Sequence, residues 1–223
     1  VKSGAEIFDI ELEKEIFAKN RGLAKENRKK FDKLNILAID ILGSIGSGKT
    51  SLIKAIIKKL GMGDKVGVIA GDLTTDIDAR RIAEEGARVI QINTGKECHL
   101  DAHLVGKAIK KMNLDGIRIL FIENVGNLIC PGEFPLGAHK RVVMTSVTEG
   151  PYMIIKHPYI FREADVIVLN KIDLARVMKV SISRLEEDAK KINPKAPFIK
   201  TNALTGMGIS KVIQSLGLNS DHA

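Results

Sequence analysis

A glycine-rich segment beginning at Gly43 constrains the fold of this chain more than any other feature. Residues 43–50 read G-S-I-G-S-G-K-T, the G-x-x-x-x-G-K-T pattern of loops that bind nucleotide phosphates. The apolar run 35–42 before it predicts a strand, and the stretch 51–60 after it predicts a helix. A glycine-rich turn between strand and helix directs backbone N–H groups and the positive helix end at phosphates. We therefore expect phosphate binding here.

The residue types in this loop suit separate tasks. Glycines let the backbone approach the phosphates closely. Lys49 provides a positive charge for the β- and γ-phosphates, and the Thr50 hydroxyl is the expected Mg²⁺ ligand. The expected nucleotide contacts of this loop are Gly43, Ser44, Gly46, Ser47, Gly48, Lys49, Thr50 and Ser51.

Beyond the loop, predicted strands and helices alternate. We expect strands near 36–42, 66–70, 87–92, 118–122, 140–146, 165–169 and 197–200, and helices near 50–60, 76–85, 99–112, 174–192 and 208–216. This alternation predicts an α/β fold with a mostly parallel, doubly wound sheet flanked by helices. We expect an N-terminal helical extension over 1–34, with one or two helices broken near Gly22, a nucleotide-binding domain over 35–217 and a tail over 218–223.

Composition argues against several functional classes. No apolar stretch approaches the length of a membrane span and no secretory signal is evident, so we expect a cytoplasmic location and no membrane partner. The net charge of +8 is spread along the chain, aromatic residues make up only 4%, and Trp is absent, which disfavours nucleic acid as a partner. Two cysteines in a reducing setting favour metal binding or catalysis over a disulfide.

A second nucleotide signal follows the predicted strand 165–169. Residues 170–173 read N-K-I-D, the N-K-x-D motif with which GTPases select their base. Guanine offers two parallel donors that the Asp173 carboxylate can accept, whereas adenine presents an acceptor at N1. The Lys171 stem can lie over the ring, and Asn170 can brace the loops. A helix start capped by Asp173 is the alternative, but the preceding phosphate loop favours GTP over ATP.

A third segment, 198–205, resembles the last motif of GTPases. It contains Asn202 and Ala203 after a predicted strand. In that motif a backbone N–H, here that of Ala203, meets the guanine oxygen. Together the three segments lead us to expect GTP and GDP as ligands.

Two carboxylates at predicted strand ends are candidates for Mg²⁺ and hydrolysis. Glu123 follows the strand near 118–122 and stands where the magnesium-binding acid of phosphate-loop proteins usually lies. Asp72 is the other candidate, either for the Mg²⁺ shell or for orienting the attacking water. Gly126 can offer its N–H to the γ-phosphate. With Lys49, these two acids form the expected catalytic set, and the absence of an evident glutamine or arginine finger predicts slow intrinsic hydrolysis.

The segment after Asp72, which runs into the predicted helix near 76–85, is polar and suits a nucleotide-dependent switch. A helix cap is the equal alternative for its members, which are Thr74, Thr75, Asp76 and Asp78.

A possible transition-metal site is spread over two segments. Cys98, His99 and His103 lie at the predicted start of a helix, where the two histidines, four residues apart, would share a face. Cys130 follows Glu123 by seven residues. Thiolate and imidazole ligands suit Zn²⁺ or Ni²⁺, and a second chain could complete the shell. On spacing alone, buried reduced cysteines and surface histidines remain the alternative.

Taken together, these segments resemble the HypB family, the nickel-inserting GTPases of NiFe-hydrogenase maturation. The resemblance covers about residues 15–217. It rests on the blocks 43–50, 93–102, 123–131, 146–150 and 170–173.

The resemblance implies a GTP-dependent homodimer with a metal site at its interface. Cys98, His99 and Cys130 would form that site, with His103 as a further candidate, and Lys156 would reach the partner subunit's nucleotide. It also implies a metallochaperone that hydrolyses GTP and serves a hydrogenase large-subunit precursor and other nickel-maturation proteins. No cysteine-rich or histidine-rich tract lies before residue 35 in this sequence, so the interface site is the one we expect.

Three alternatives remain open at the level of sequence. One is a related GTPase that delivers nickel to urease, which the Cys-His-Leu-Asp-Ala block at 98–102 disfavours. Another is a metal-binding scaffold in which GTP sets only the oligomeric state. The third is a nucleic-acid module that uses the basic cluster 28–30.

Overall fold

Seven strands form one parallel sheet in the computed structural model, which describes residues 4–72, 76–95 and 97–218, with only the backbone for 4–13, 130 and 131. The strands are β1 Leu37–Gly43, β2 Val66–Asp72, β3 Arg88–Asn93, β4 Ile119–Glu123, β5 Lys140–Ser146, β6 Val166–Asn170 and β7 Phe198–Lys200. Their spatial order is β3-β2-β4-β1-β5-β6-β7, and every neighbouring pair is parallel. The predicted α/β fold is confirmed.

Helices cover both faces of this sheet. Their bounds are α1 Gly4–Lys33, α2 Lys49–Leu60, α3 Ile77–Ala83, α4 Ala102–Lys111, α5 Met153–Lys156, α6 Pro158–Arg162, α7 Ile182–Ile192 and α8 Ile209–Leu216. One core cluster joins α2, α3 and α8 to one face. A second cluster packs α1 and α4 against the other face, and a third packs α6 and α7 against that same face.

Burial on both faces explains why the strands read as continuous apolar runs. All five residues of β4 and all five of β6 are buried, as parallel strands between two helix layers require. Because all strands are parallel, their carboxyl ends lie at one edge of the sheet. Ligands in such folds bind beyond this edge, near the point where the strand order reverses. Here that point is the central strand β1, which lies between β4 and β5 and leads into the phosphate loop.

Three details of the helix prediction are wrong. α1 is a single helix that runs through Gly22 without a break, because contacts with α4 and with residues 135–138 outweigh the weak helix propensity of one glycine. α7 begins at Ile182, where Ser181 caps it, and not near 174, since Lys179 adopts a left-handed conformation. The short helices α5 and α6 were not predicted.

Several predictions lie outside the described residues. They concern Thr74 and Thr75 of the polar segment, the Cys130 side chain, and the tail apart from Leu218. Within the described ranges, no helix combines the length and the apolar character needed to cross a membrane.

Candidate functional site

The phosphate loop turns sharply between β1 and α2, and its glycines make that turn possible. Gly46 and Gly48 have positive φ angles of 76° and 102°, which L side chains rarely adopt. A Cβ atom on Gly43 would lie 2.5 Å from the carbonyl oxygen of Met144 on β5. The turn therefore leaves a cradle of backbone at the start of α2, as expected for a loop that approaches phosphates closely.

Lys49 is buried in this loop and its ammonium group is held by backbone. Its Nζ atom lies 3.1 Å from the carbonyl oxygens of both Gly43 and Ser44. Burial lowers the pKa of Lys49, and the nearby carboxylates of Glu123 and Glu149 act against that shift. A positive charge with low solvation beside a backbone cradle is suited to an anionic ligand.

Thr50 and Glu123 form the second half of this site. The Thr50 hydroxyl donates a hydrogen bond of 2.7 Å to Oε1 of Glu123, which ends β4. Burial raises the pKa of Glu123 to about 7, against the opposing effects of Lys49 and Thr50. Its Oε2 atom is buried without a hydrogen-bond partner. The Thr50 hydroxyl and the Glu123 carboxylate are two oxygen ligands, and one oxygen of that carboxylate has no hydrogen-bond partner. Such a pair fits a divalent cation such as Mg²⁺.

A cavity of about 310 Å³ brings the three predicted catalytic residues together. Lys49, Asp72 and Glu123 all line it. The other lining residues are Ile45, Gly46, Gly48, Thr50, Ser51, Gly71, Asp78, Arg81, Asn124, Gly126 and Lys171. The cavity therefore joins the phosphate loop, the ends of β2 and β4, and Lys171 of the base-selecting motif.

Arg81 and Glu149 belong to this region and were not predicted. Arg81 on α3 lines the cavity and pairs with Asp78 at 3.1 Å. Burial raises the pKa of Glu149, whose carboxylate accepts from the Ser146 backbone and the Thr145 hydroxyl and acts on Lys49. Glu149 falls in the block 146–150 that carries the resemblance, and this was the one available signal for it.

The two base-selecting loops are tied to the phosphate loop by Asn170. Its Nδ2 donates 2.9 Å to the carbonyl of Ser47, and its Oδ1 accepts from the Ala203 backbone at 3.0 Å. Asp173 accepts a 2.8 Å hydrogen bond from the Asn202 amide. Asn170 thus braces the loops as its position suggests. The predicted contact of the Ala203 N–H with guanine would compete with this bond and stays a prediction.

The metal-ligand candidates are only partly brought together. Cys98 Sγ lies 3.6 Å from Nδ1 of His99, whose ring stacks on Phe134 with centroids 4.1 Å apart. Burial lowers the pKa of His99. Cys130 begins a short 3₁₀ helix, Cys130–Glu133, but its side chain lies outside the described residues. Among the side chains that the structure describes, no group of three His, Cys, Asp or Glu residues is arranged to hold a metal ion.

The predicted helical pairing of the two histidines is wrong. α4 begins at Ala102, with Asp101 as its cap through a 2.7 Å hydrogen bond from the Leu104 N–H. His99 therefore precedes the helix and His103 is exposed in its first turn. The reason is local, since an Asp at 101 is a strong helix N-cap that sequence spacing between the histidines does not reveal.

Lys156 lies away from the phosphate cavity. It ends α5 and lines a separate cavity of about 580 Å³ together with Ile129, Tyr159 and other residues from the 128–133 and 157–163 segments. Its predicted reach to a partner subunit's nucleotide therefore stays a prediction.

Comparison with known proteins gives a consistent result. Residues 37–200 match the model of the CobW/HypB/UreG nucleotide-binding domain. A protein of Methanocaldococcus jannaschii named "Probable hydrogenase maturation factor HypB" is 50% identical over 205 residues, which cover 92% of this chain and 93% of the relative.

Solved structures agree. The hydrogenase maturation factor HypB of Archaeoglobus fulgidus is 44% identical, with a TM-score of 0.83 over 90% of this chain and 98% of that one. HypB of Helicobacter pylori, solved in complex with nickel, is 32% identical, with a TM-score of 0.84 over 90% and 94%. This chain accordingly belongs to the HypB family of hydrogenase maturation factors, within the CobW/HypB/UreG group of P-loop GTPase domains.

Proposed function

We propose that the chain is a GTP-hydrolysing metallochaperone that assists nickel insertion into NiFe-hydrogenase. The observation that carries this proposal is the position of Glu123. Its carboxyl group bonds Thr50 beside the phosphate loop, and the same connection reaches Cys130 seven residues later. One segment therefore links the nucleotide site to a candidate metal ligand, so that bound phosphates can bias the position of that ligand.

In this proposal Lys49 exchanges the carbonyls of Gly43 and Ser44 for the β- and γ-phosphates of GTP. Thr50 and Glu123 would hold Mg²⁺, which would offset the charge of the triphosphate. Asp72, on the same cavity wall, completes the Mg²⁺ shell or orients the attacking water.

Guanine is selected by the two loops that Asn170 braces. Asp173 accepts from the two donors of the base, and the stem of Lys171 covers the ring. The remaining nucleotide contacts would come from the phosphate loop, from Gly126 and from the Asn202–Ala203 segment.

Hydrolysis is proposed to be slow, at well under about one turnover per second in the isolated chain. Arg81 lines the cavity, but Asp78 is its ion-pair partner. No other arginine, and no glutamine, of the described residues lines this cavity. The nucleotide would then act as a timer for the assembled state.

The proposed metal site uses Cys98, His99 and Cys130 at the interface of two subunits, where the second subunit completes a four-coordinate shell. The separation of 3.6 Å between Cys98 Sγ and His99 Nδ1 supports this. Tetrahedral angles and bonds of about 2.3 Å to sulfur and about 2.0 Å to nitrogen place two such ligands about 3.5 Å apart. Ni²⁺ and Zn²⁺ both accept these donors, and the nickel complex of the H. pylori relative favours nickel as the cargo. His103 is a weaker candidate because it is exposed on α4.

Metal release is proposed to serve a hydrogenase large-subunit precursor or another nickel-maturation protein. The support is the name of the M. jannaschii relative, a hydrogenase maturation factor that matches over nearly the whole of both chains. GTP would bring two subunits together and complete the shared site, and hydrolysis would loosen them.

A titration tests the proposal. Ni²⁺ is added to the chain loaded with GDP and, separately, with a non-hydrolysable GTP analogue, while light scattering reports the number of subunits. We expect a dimer and tighter nickel binding with the analogue. Equal affinity and equal stoichiometry in the two states would refute the coupling of nucleotide to metal.

The variant Lys49→Ala distinguishes a working GTPase from a scaffold in which GTP sets only the oligomeric state. This variant should lose GTP binding, because the charge of the loop is removed, while Cys98 and His99 are untouched. A scaffold would still support hydrogenase maturation in cells that carry the variant. A working GTPase would not.

A further inference from the structure

Asn127 contacts three segments that the proposed function needs to move together. Its backbone N–H donates 3.1 Å to the carbonyl of Gly43, the first residue of the phosphate loop. Its Oδ1 accepts 2.8 Å from the N–H of Ile129, next to Cys130. Its Nδ2 donates 3.4 Å to the carbonyl of Cys98. One residue therefore joins the phosphate loop to both segments that carry the candidate thiols.

The orientation of this carboxamide follows from its partners. The N–H of Ile129 can only donate, so the amide atom 2.8 Å from it must be the oxygen. The other amide atom is then the NH₂ group, which faces the Cys98 carbonyl, a group that can only accept. Each of these two contacts supports the same assignment.

The residue before Asn127, Gly126, also packs directly against the phosphate loop. Gly126 lies so close to Ile45 that a Cβ atom on Gly126 would overlap the Ile45 side chain and stand 2.9 Å from its backbone nitrogen. Gly126 lines the phosphate cavity as well. A shift of the loop or of Gly126 when the γ-phosphate arrives or leaves must therefore displace Asn127.

Asn124 supports the same connection three residues earlier in the chain. Its buried side chain accepts 2.9 Å from the N–H of Leu100, and it follows Glu123 directly. The connection after β4 thus contacts the 98–100 segment twice, through Leu100 and through the Cys98 carbonyl.

We propose that Asn127 is the positioning residue that transmits the nucleotide state to the segments bearing Cys98 and Cys130. This inference rests on the proposed function, since it names the route of the coupling stated there. The backbone of Asn127 follows the phosphate loop, and its two side-chain hydrogen bonds carry the displacement to the two metal-bearing segments.

Asn20 on α1 offers a matched control. Its Oδ1 accepts 2.8 Å from the Ala102 N–H and its Nδ2 donates 3.0 Å to the Pro135 carbonyl. It therefore ties together the same two stretches of chain, just beyond the metal-bearing segments, through a carboxamide of the same kind. Its hydrogen bonds do not involve the phosphate loop.

The test measures Ni²⁺ affinity of the full chain with GDP and with a non-hydrolysable GTP analogue, and takes the ratio of the two dissociation constants. Allosteric couplings typically change affinity by about 5- to 150-fold. We expect Asn127→Ala to bring the ratio to near one. Asn20→Ala should weaken binding by a similar factor in both states and keep the wild-type ratio. A loss of structure alone would affect both variants alike.

Asn127→Asp provides a second variant, in which the side chain keeps its size and the backbone N–H can still bond Gly43. It keeps an acceptor for the Ile129 N–H but loses the donor to Cys98, so we expect a ratio between those of the wild type and Asn127→Ala. Circular dichroism and GDP affinity check folding, and if Asn127→Ala does not fold, Asn127→Asp decides.

Two failures can be told apart. A wild-type ratio of one would refute the coupling in the proposed function, and this inference with it. A clear wild-type ratio that Asn127→Ala and Asn127→Asp both retain would leave the proposed function standing and overturn the assignment of Asn127.

Discussion

At neutral pH the protonated and ionised forms of the Glu123 carboxyl group are both populated. Burial raises its pKa to about 7, while the Thr50 hydroxyl and the Lys49 ammonium group favour the ionised form. A divalent cation at the unsatisfied Oε2 atom would complete that ionisation. Burial of this carboxylate thus carries an electrostatic cost that a bound cation would relieve.

This cost has a definite dependence on pH. The folded carboxyl has a pKa of about 7 and the unfolded one keeps the ordinary value of 4.5. Between these values the folded state binds a proton that the unfolded state has lost, so the free energy of unfolding falls as pH rises through this window. Relative to Glu123→Gln, the metal-free wild type should lose up to about 3 kcal/mol between pH 4.5 and pH 8.

Urea unfolding with EDTA at pH 4.5, 6 and 8 measures this difference for the wild type and Glu123→Gln. The comparison cancels the contributions of the buried Asp40 and the half-buried Glu149, two other carboxyls with raised pKa values. A stability difference that does not change with pH would show that Glu123 is not the titrating group.

Base selection can be tested at Asp173. Asp173→Asn replaces one of the two acceptors by a donor, which faces a guanine donor and should weaken GTP binding by about 100-fold or more. The same carboxamide complements xanthine, which carries one donor and one acceptor at that edge. Affinities for GTP, XTP and ATP, measured by fluorescent-nucleotide displacement, check this. Unchanged GTP affinity would exclude Asp173 as the base-selecting residue.

At the scale of elements, the sequence predicts the strands well because most are short apolar runs, and central strands such as β4 and β6 are buried on both faces. All seven appear within two residues of their expected positions. The ends of the helices were harder to predict from the sequence. The start of α7 depends on the left-handed Lys179 and the Ser181 cap, and the continuity of α1 depends on contacts with chain far away in sequence. Local patterns do not contain such contacts.

The packing of α1 gives a pair of opposite predictions. A Cβ atom on Gly22 would meet nothing within 4 Å, so Gly22→Ala should stabilise the chain by about 1 kcal/mol through helix propensity. Gly137 has a φ of 96°, and its Cβ would overlap the Ala24 carbonyl and lie 2.9 Å from Asn27 Cβ. Gly137→Ala should therefore destabilise by more than about 2 kcal/mol. Thermal unfolding of the two variants measures both, and equal effects would mean that α1 does not pack closely here.

At the scale of the whole molecule, the nucleotide site was largely predictable and its connections were not. The loop 43–50 and the motif 170–173 are continuous in sequence, and their residues lie where a strand end places them. The contacts of Asn20 with Ala102, or of Asn127 with Cys98, join residues 82 and 29 positions apart. Spacing along one chain cannot indicate which amide meets which carbonyl.

Association of two subunits can be tested on the surface near Lys156. Ile129 and Tyr159 are 70% and 78% exposed and line the same cavity as Lys156. If this surface meets a second copy, Tyr159→Glu should prevent the dimer with a non-hydrolysable GTP analogue, because it would place a charge in an apolar contact. Light scattering reports the mass, and GDP affinity should not change.

Val177→Glu is the control for that variant. Val177 is also 78% exposed but does not line the cavity that contains Lys156. It should dimerise as the wild type does. If Tyr159→Glu dimerises equally well, the interface lies elsewhere.

The two carbonyl groups that hold Lys49 have one more consequence. They accept hydrogen bonds from its ammonium group, so part of the donor capacity of this lysine is satisfied within the loop itself. An anion that enters this loop would therefore compete with backbone carbonyls for Lys49, and its net attraction to the lysine would be smaller by the cost of breaking those bonds.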